Sequence, residues 1–349
     1  MCWTVGRDRP LPRQAAMSPS AATARPYLSI VVTGRNDGYG GDFVERFLAT
    51  LQFNHRELTA RGITHEFVLV EWAPVPGAPL LADVMDARCP SPVAAMLRTV
   101  IVDPAYQDAM TLNPRVVYQE FLAKNAGIRR ARGEYVVVTN SDVMFGRHIL
   151  GRLERQELEP AVLYRAPRYD LVGSLDIDRL EWASLEDPAN LARPAKRIRP
   201  PYFRGATGDF IALERASFHR LRGFNEIYRV ARIGIDANLL IHALASGVRI
   251  VDIGGPVYHI DHELSYQKVR TTYEGREAEA HYGDVRWNFN AVVYRNRDQW
   301  GLSDAPERRL GSRRTRLDFS WDAVPPMVDL SGIMPVPPLQ PAAEAAADL

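Results

Sequence analysis

The residues of this chain best placed to do chemistry lie in one stretch, Lys124 to Phe145, KNAGIRRARGEYVVVTNSDVMF. There an arginine-rich helical segment runs into an apolar strand that ends on Asn140-Ser141-Asp142. Glu134 to Thr139 is a β-branched and aromatic run of strand length, entered through Gly133. A run apolar on both faces belongs to a parallel sheet covered by helices, and ligands of such sheets gather beyond the carboxyl ends of the strands. A hard divalent cation, Mg²⁺ or Mn²⁺, binds there through one or two carboxylates and the phosphates of a substrate, so Asp142 with Asn140 beside it is a sufficient candidate set. Asn, Ser and Asp also make turns and cap helices. The three residues by themselves leave the metal site and the cap both open.

The elements that must position this stretch follow from hydrophobic periodicity. Tyr27 to Thr33 reads as a first strand, followed by a polar, glycine-rich loop from Gly34 to Asp42. A helix then runs from Phe43 to about Arg61, with Phe43, Phe47, Leu48, Leu51 and Leu58 as its apolar positions. His65 to Glu71 is a second strand, Val116 to Arg130 a further helix, and Val248 to Ile253 a late strand. This alternation predicts an α/β fold with a doubly wound, mostly parallel sheet. Gly38, Gly40 and Gly41 follow a strand and precede a helix, but a dinucleotide fingerprint starting at Gly38 needs glycine at position 43, which is Phe43. The loop reads instead as a mobile rim. No internal repeat is present.

Composition limits the classes that fit. With 349 residues, 46% of them hydrophobic, the chain can bury a substantial core. Its 43 Lys and Arg against 42 Asp and Glu leave no charge imbalance that calls for nucleic acid or an anionic membrane. Two cysteines, Cys2 and Cys89, make neither a disulfide framework nor a zinc spacing, and no apolar run approaches the ~20 residues of a transmembrane helix. A cytoplasmic location is expected, with peripheral association at a membrane left open. Residues 1–26 read as a disordered tail, 27–145 as a nucleotide-binding half, 146–300 as an acceptor-binding and catalytic half of the same domain, and 301–349 as a Pro- and Ala-rich C-terminal extension.

Several motifs share a spacing. The first strand ends in Val32-Thr33-Gly-Arg35-Asn36, the second in Phe67-Val-Leu-Val-Glu71, and Asn125-Ala-Gly127, Ala131 and Gly133 precede Asn140-Ser-Asp142. Further on come Gly208-Asp209-Phe-Ile, Gly223-Phe-Asn-Glu226, Ile235-Asp236-Ala-Asn-Leu239 and Tyr258-His259-Ile-Asp261-His262. From Tyr27 to Tyr266 this set resembles the family-2-like glycosyltransferases of GT-A fold, in the nucleotide-diphospho-sugar transferase superfamily. The resemblance departs at Asn140, where the family's D-x-D has its first aspartate, and at Ile235, where the family has a glutamate before the acid matched by Asp236.

The resemblance implies a hexosyltransferase-like enzyme of glycan biosynthesis that moves a sugar from a nucleotide-diphosphate donor to an acceptor hydroxyl, with inversion and a divalent cation, Mn²⁺ or Mg²⁺. It implies donor contacts at Thr33, Arg35, Asn36, Glu71, Lys124, Asn125, Asn140 and Arg204. Asp142 is the implied metal ligand, with His259 or His262 completing the coordination. Asp236 would be the general base that takes the acceptor's proton, or merely a helix N-terminal acid favouring the macrodipole. Asp209 would accept from a sugar hydroxyl or serve a turn, and Glu226 reads as structural. Arg199 and Arg204, beside Pro200-Pro-Tyr-Phe203, have the chemistry to clamp a diphosphate, whereas Arg129, Arg130 and Arg132 read as a solvated face. The acceptor, whether glycan, lipid or small molecule, is not specified. A sugar nucleotidyltransferase and a catalytically silent binding protein on the same fold are the competing readings.

Overall fold

A computed structural model of the chain describes residues 25–111, 116–172, 175–193, 198, 200, 207–227, 229, 234–262 and 293–326. In chain order the first half contributes β1 (Leu28–Gly34), α1 (Phe43–Ala60), β2 (His65–Trp72), α2 (Leu81–Arg88), α3 (Ser91–Met96), β3 (Leu97–Val102), α4 (Ala105–Met110), α5 (Glu120–Arg130), β4 (Tyr135–Val138), β5 (Val143–Phe145) and α6 (Arg147–Glu154). The second half adds β6 (Val162–Arg165), β7 (Arg168–Leu171), α7 (Trp182–Leu185), β8 (Leu191–Arg193), β9 (Ile211–Glu214), α8 (Arg215–Leu221), α9 (Ile235–Ala245), β10 (Arg249–Asp252), β11 (Val257–Ile260), β12 (Glu307–Arg309) and β13 (Arg314–Leu317).

The main sheet has the order β10-β6-β9-β4-β1-β2-β3-β13-β12. The run from β4 through β1, β2 and β3 to β13 is parallel, while β9 is antiparallel to both its neighbours and β12 antiparallel to β13. This is the mostly parallel α/β sheet that the sequence predicts. Its two faces are covered by different helices because alternate strand residues point opposite ways. Val31, Val68 and Val70 join a core built with α5, α8 and α9, whereas Ile30, Val32, Phe67 and Leu69 join one built with α1, α2, α3 and α6. Gly127 lets α5 lie close on the first face: a Cβ there would stand 2.5 Å from Val31 Cγ1.

A smaller sheet, β5-β11-β7-β8, stands beside the carboxyl end of β4. In it β11 runs antiparallel to β5 and parallel to β7, with His259 opposite Val143 on one side and Asp170 on the other. Helix α1 fixes its near edge through a polar stripe at helical spacing, Arg46, Thr50, Asn54 and Glu57, all buried. Thr50 Oγ1 donates to Ser141 O at 2.5 Å, and Asn54 bridges Val143 O and Phe145 N at 2.9 and 3.0 Å.

Part of the stretch from 301 onward belongs to the main sheet, since β13 pairs with β3. Arg130, read from sequence as solvated, holds this segment: its guanidinium donates to Gly301 O and Leu302 O at 2.8 Å each and pairs with Glu307. Arg129 packs its guanidinium over the Trp300 ring, 5.2 Å from the centroid. Among the described residues no helix is long and apolar enough to cross a membrane.

Candidate active site

The carboxyl ends of β1, β2 and β4 lie side by side, so Thr33, Arg35, Asn36, Glu71 and Asn140 to Asp142 emerge along one edge of the sheet. Asp142 caps no helix. β5 begins at the next residue, and the following helix, α6, starts after Gly146. The cap reading is therefore excluded by the local structure.

Asp142, His259 and His262 converge there, all buried, with one ligand atom from each within 4.8 Å of the others. His259 Nε2 is 3.6 Å and His262 Nε2 3.3 Å from Asp142 Oδ2. Donors about 2.1 Å from a shared cation and roughly 90–120° apart are about 3.0–3.6 Å from one another, and both nitrogens stand in that range from Asp142 Oδ2. Asp142 Oδ1 is buried and has no hydrogen-bond partner among the described residues. An orphaned carboxylate oxygen in such a place is what a cation would satisfy. Burial by itself would raise the Asp142 pKa, but His259, His262 and Arg46 outweigh it and hold the carboxyl well below the ordinary range. Burial likewise works to lower His259, and the charge of Asp142 with the hydrogen bond to Asp170 overcomes it, leaving that imidazole raised.

The glycine-rich loop folds over this cluster and is not a free rim at Gly40. The Tyr39 ring meets the His262 ring edge-on at 5.2 Å, and a Cβ on Gly40 would stand 2.8 Å from His262 Nδ1. Arg46, 1% exposed, ties the loop down through Gly40 O at 3.0 Å, Tyr39 O at 2.8 Å and an ion pair with Asp42.

A chain of polar contacts leads away from the cluster. His259 Nδ1 contacts Asp170 Oδ1 at 2.9 Å, Arg168 Nε contacts the same oxygen at 2.9 Å, and Arg168 also donates to Asp209 Oδ2 at 2.9 Å. Asn140 Nδ2 donates to Asp209 Oδ1 at 2.7 Å, and Lys124 Nζ donates to Asn140 Oδ1 at 2.8 Å, to Gly208 O at 3.2 Å and to Glu120. Asn140 thus bridges a carboxylate and an ammonium, which an ionised aspartate could not do. Both oxygens of Asp209 are engaged by protein groups.

Asp236 lies in the first turn of α9, where its Oδ1 accepts from the Ala237 amide at 2.8 Å. A Cβ on Gly208 would be 3.6 Å from Lys124 Nζ and 3.7 Å from Asp236 Oδ2, so this glycine separates the two charges. Asp236 keeps part of its surface open while set deep among protein atoms. That setting raises its pKa, opposed by the Ala237 amide and by the charges of Arg165 and Lys124.

Other expected donor residues are spent on the scaffold. Glu71, 1% exposed, accepts from the amides of Leu81 and Ala82 at 2.6 and 3.0 Å, closing the N-terminus of α2. Asn125 has no exposed surface: its amide donates to Phe224 O and Glu226 Oε1 at 2.8 and 2.9 Å and its carbonyl accepts from Phe224 N at 2.7 Å. Both side chains are committed to protein partners, since motif spacing marks a position along the chain and says nothing of which neighbour takes the side chain. Lys124 is also wholly buried but belongs to the polar chain above. Thr33 is buried at the end of β1; Arg35 bonds Asp37 and Val117 O, and Asn36 bonds Pro79 O. Arg199 and Arg204 lie outside the described residues. Asp170 and Arg168 carry little sequence signal, only an Arg-x-Asp pair on one face of a four-residue strand.

No family model matches the sequence, and no curated protein is similar to it. Among solved structures, the chain is similar over 85% of its length to the catalytic domain of Drosophila beta1,4-galactosyltransferase 7 in complex with xylobiose, at 11% identity, 96% of that chain and a TM-score of 0.40. A mutant of that enzyme in complex with manganese, UDP-Gal and xylobiose is matched over 85% of this chain and 97% of its own, at 10% identity and a TM-score of 0.41. Likenesses this distant bear on neither mechanism nor substrate.

Proposed function

We propose that this protein is a metal-dependent glycosyltransferase of GT-A type, moving a sugar from a nucleotide-diphosphate donor to an acceptor hydroxyl. The observation that carries the reading is the Asp142-His259-His262 cluster at the carboxyl end of β4, with an orphaned carboxylate oxygen and ligand atoms at cation spacing. The two imidazoles favour a first-row transition ion such as Mn²⁺ over Mg²⁺, which prefers an all-oxygen shell. Such an ion, when bound, neutralises the charge that develops on a departing diphosphate.

Asp236 supplies the other half of the chemistry. In an inverting displacement the acceptor oxygen bonds to the anomeric carbon as the bond to the diphosphate breaks, and the hydroxyl proton passes to a base. Asp236 is partly open, and its burial raises its pKa, the direction that strengthens a base. Asn140, Asp209 and Lys124 hold the wall between the two groups.

The test is release of free nucleoside diphosphate from a panel of nucleotide-diphospho-sugars with Mn²⁺. Turnover of at least one donor is expected, abolished in Asp142→Ala and in Asp236→Asn, with donor binding nearly intact in the latter. No turnover of any donor would leave the silent-protein reading standing; release of inorganic pyrophosphate from a nucleoside triphosphate and a sugar phosphate would favour the nucleotidyltransferase. Full turnover in Asp236→Asn would remove it as base.

A further inference from the structure

The parallel register of β7 and β11 sets Asp170 directly opposite His259, and the two side chains meet at 2.9 Å between Oδ1 and Nδ1. A carboxylate only accepts, so this contact requires the proton of a neutral His259 ring to sit on Nδ1 and leaves the Nε2 lone pair facing Asp142. The opposite tautomer would set two acceptors against each other at Nδ1 and point a proton at the place where a cation would bind. Asp170 is itself immobilised: it is 4% exposed, and Arg168, two residues earlier on the same face of β7, contacts its Oδ1 through Nε at 2.9 Å. The remaining arm of Arg168 reaches Asp209, so the orientation of His259 is tied to the side of the site that holds Asn140 and Lys124.

We propose that Asp170 is a positioning residue of the candidate metal centre, fixing the ring angle and the Nδ1-protonated tautomer of His259 so that Nε2 is presented to a transition-metal cation, with Arg168 holding Asp170 in place. This rests on the metal-site reading above and goes beyond it, since neither residue is a ligand. A carboxylate that orients a ligating imidazole in this way is typically worth 10- to 100-fold in metal affinity. Asp170 differs from a structural ion-pair partner in that its effect is felt at Nε2, on the far side of the ring.

Mn²⁺ titration followed by the electron paramagnetic resonance of the free ion tests this on the full chain, with Asp170→Asn as the near-isosteric variant and Asp170→Ala as the deletion. Affinity is expected to fall by about 10- to 100-fold in Asp170→Ala and by less in Asp170→Asn, whose carbonyl still accepts. Imidazole ¹⁵N spectra of the Zn²⁺-loaded wild-type protein should show His259 protonated on Nδ1 and coordinated through Nε2, a signature that a merely structural role would not produce. Unchanged Mn²⁺ affinity in a folded Asp170→Ala protein, or His259 coordinated through Nδ1, overturns the role of Asp170. Absence of Mn²⁺ binding to the wild-type chain overturns the metal reading itself.

Discussion

Gly40→Ala tests whether the glycine-rich loop is built against the metal centre. Gly40 has φ +71°, and a Cβ there would stand 2.7 Å from Arg46 Nη2 and 2.8 Å from His262 Nδ1, closer than side-chain carbons come to other atoms. Two costs can be separated. The left-handed backbone costs an alanine roughly 1 kcal/mol, and that cost is shared by Gly38→Ala, where φ is +68° and nothing lies within 4 Å. The second cost is steric and peculiar to Gly40. Arg46 is buried and bonded to Tyr39 O, Gly40 O and Asp42, so the His262 ring must give way by several tenths of an ångström. Ligand positions tolerate about 0.2 Å, and a misplaced histidine should weaken the cation by about 10- to 100-fold, or about 1.4–2.7 kcal/mol. Mn²⁺ titrations of wild type, Gly38→Ala and Gly40→Ala, with urea unfolding of each, measure the two costs. Equal Mn²⁺ affinities for the two variants would refute the reasoning.

Further outcomes follow from the buried polar groups. Burial pushes the pKa of His65 and of His242 down from 6.5 to about 4 each, so both are neutral in the folded chain while their unfolded counterparts take up protons below pH 6.5. The stability they contribute is whole above pH 6.5 and is lost as pH falls toward 4, by about 2 kcal/mol per histidine at pH 5. His259, raised, works in the opposite sense. Urea midpoints should therefore drop between pH 7.5 and 5, and equal midpoints would contradict the assignment. Asn125→Ala strips partners from the buried Phe224 amide and from Glu226 and should destabilise the chain by about 3 kcal/mol in urea unfolding. The folded remainder should bind donor normally, and selective loss of donor binding at unchanged stability would return Asn125 to the site.

Elements that lie within long apolar or periodic runs were legible in the sequence. Strands β1, β2 and β4 declare themselves as unbroken apolar runs, β4 although it is only four residues, and helix α1 by its period, spanning Phe43 to Ala60 against the expected Phe43 to about Arg61. Helix α5 begins at Glu120 instead of Val116. Strands β5, β7 and β11, of three or four residues, are below the length at which alternation can be read, yet they build the wall that carries His259 and Asp170. Asp170 and His259 are 89 residues apart, so only the register joins them. Asp142 was visible as a candidate because a carboxylate at a strand exit can hold a cation, but a helix cap was equally open until β5 was seen to begin at Val143. The polar stripe Arg46, Thr50, Asn54 and Glu57 on α1 follows helical spacing, but spacing does not say which loop or strand edge it meets. Glu71 and Asn125 bond mainly to backbone amides and carbonyls, with Glu226 as a side-chain partner of Asn125, and no side-chain motif encodes such bonds.

The central claim is that Asp142, His259 and His262 hold one cation. Its most direct measurement is the stoichiometry and affinity of Mn²⁺ binding to the purified chain, in the wild type and in Asp142→Ala. One ion bound per wild-type chain and none bound at comparable concentration by a folded Asp142→Ala protein is the predicted result. A wild-type chain that binds no Mn²⁺, or an Asp142→Ala protein that binds it equally well, would contradict the account.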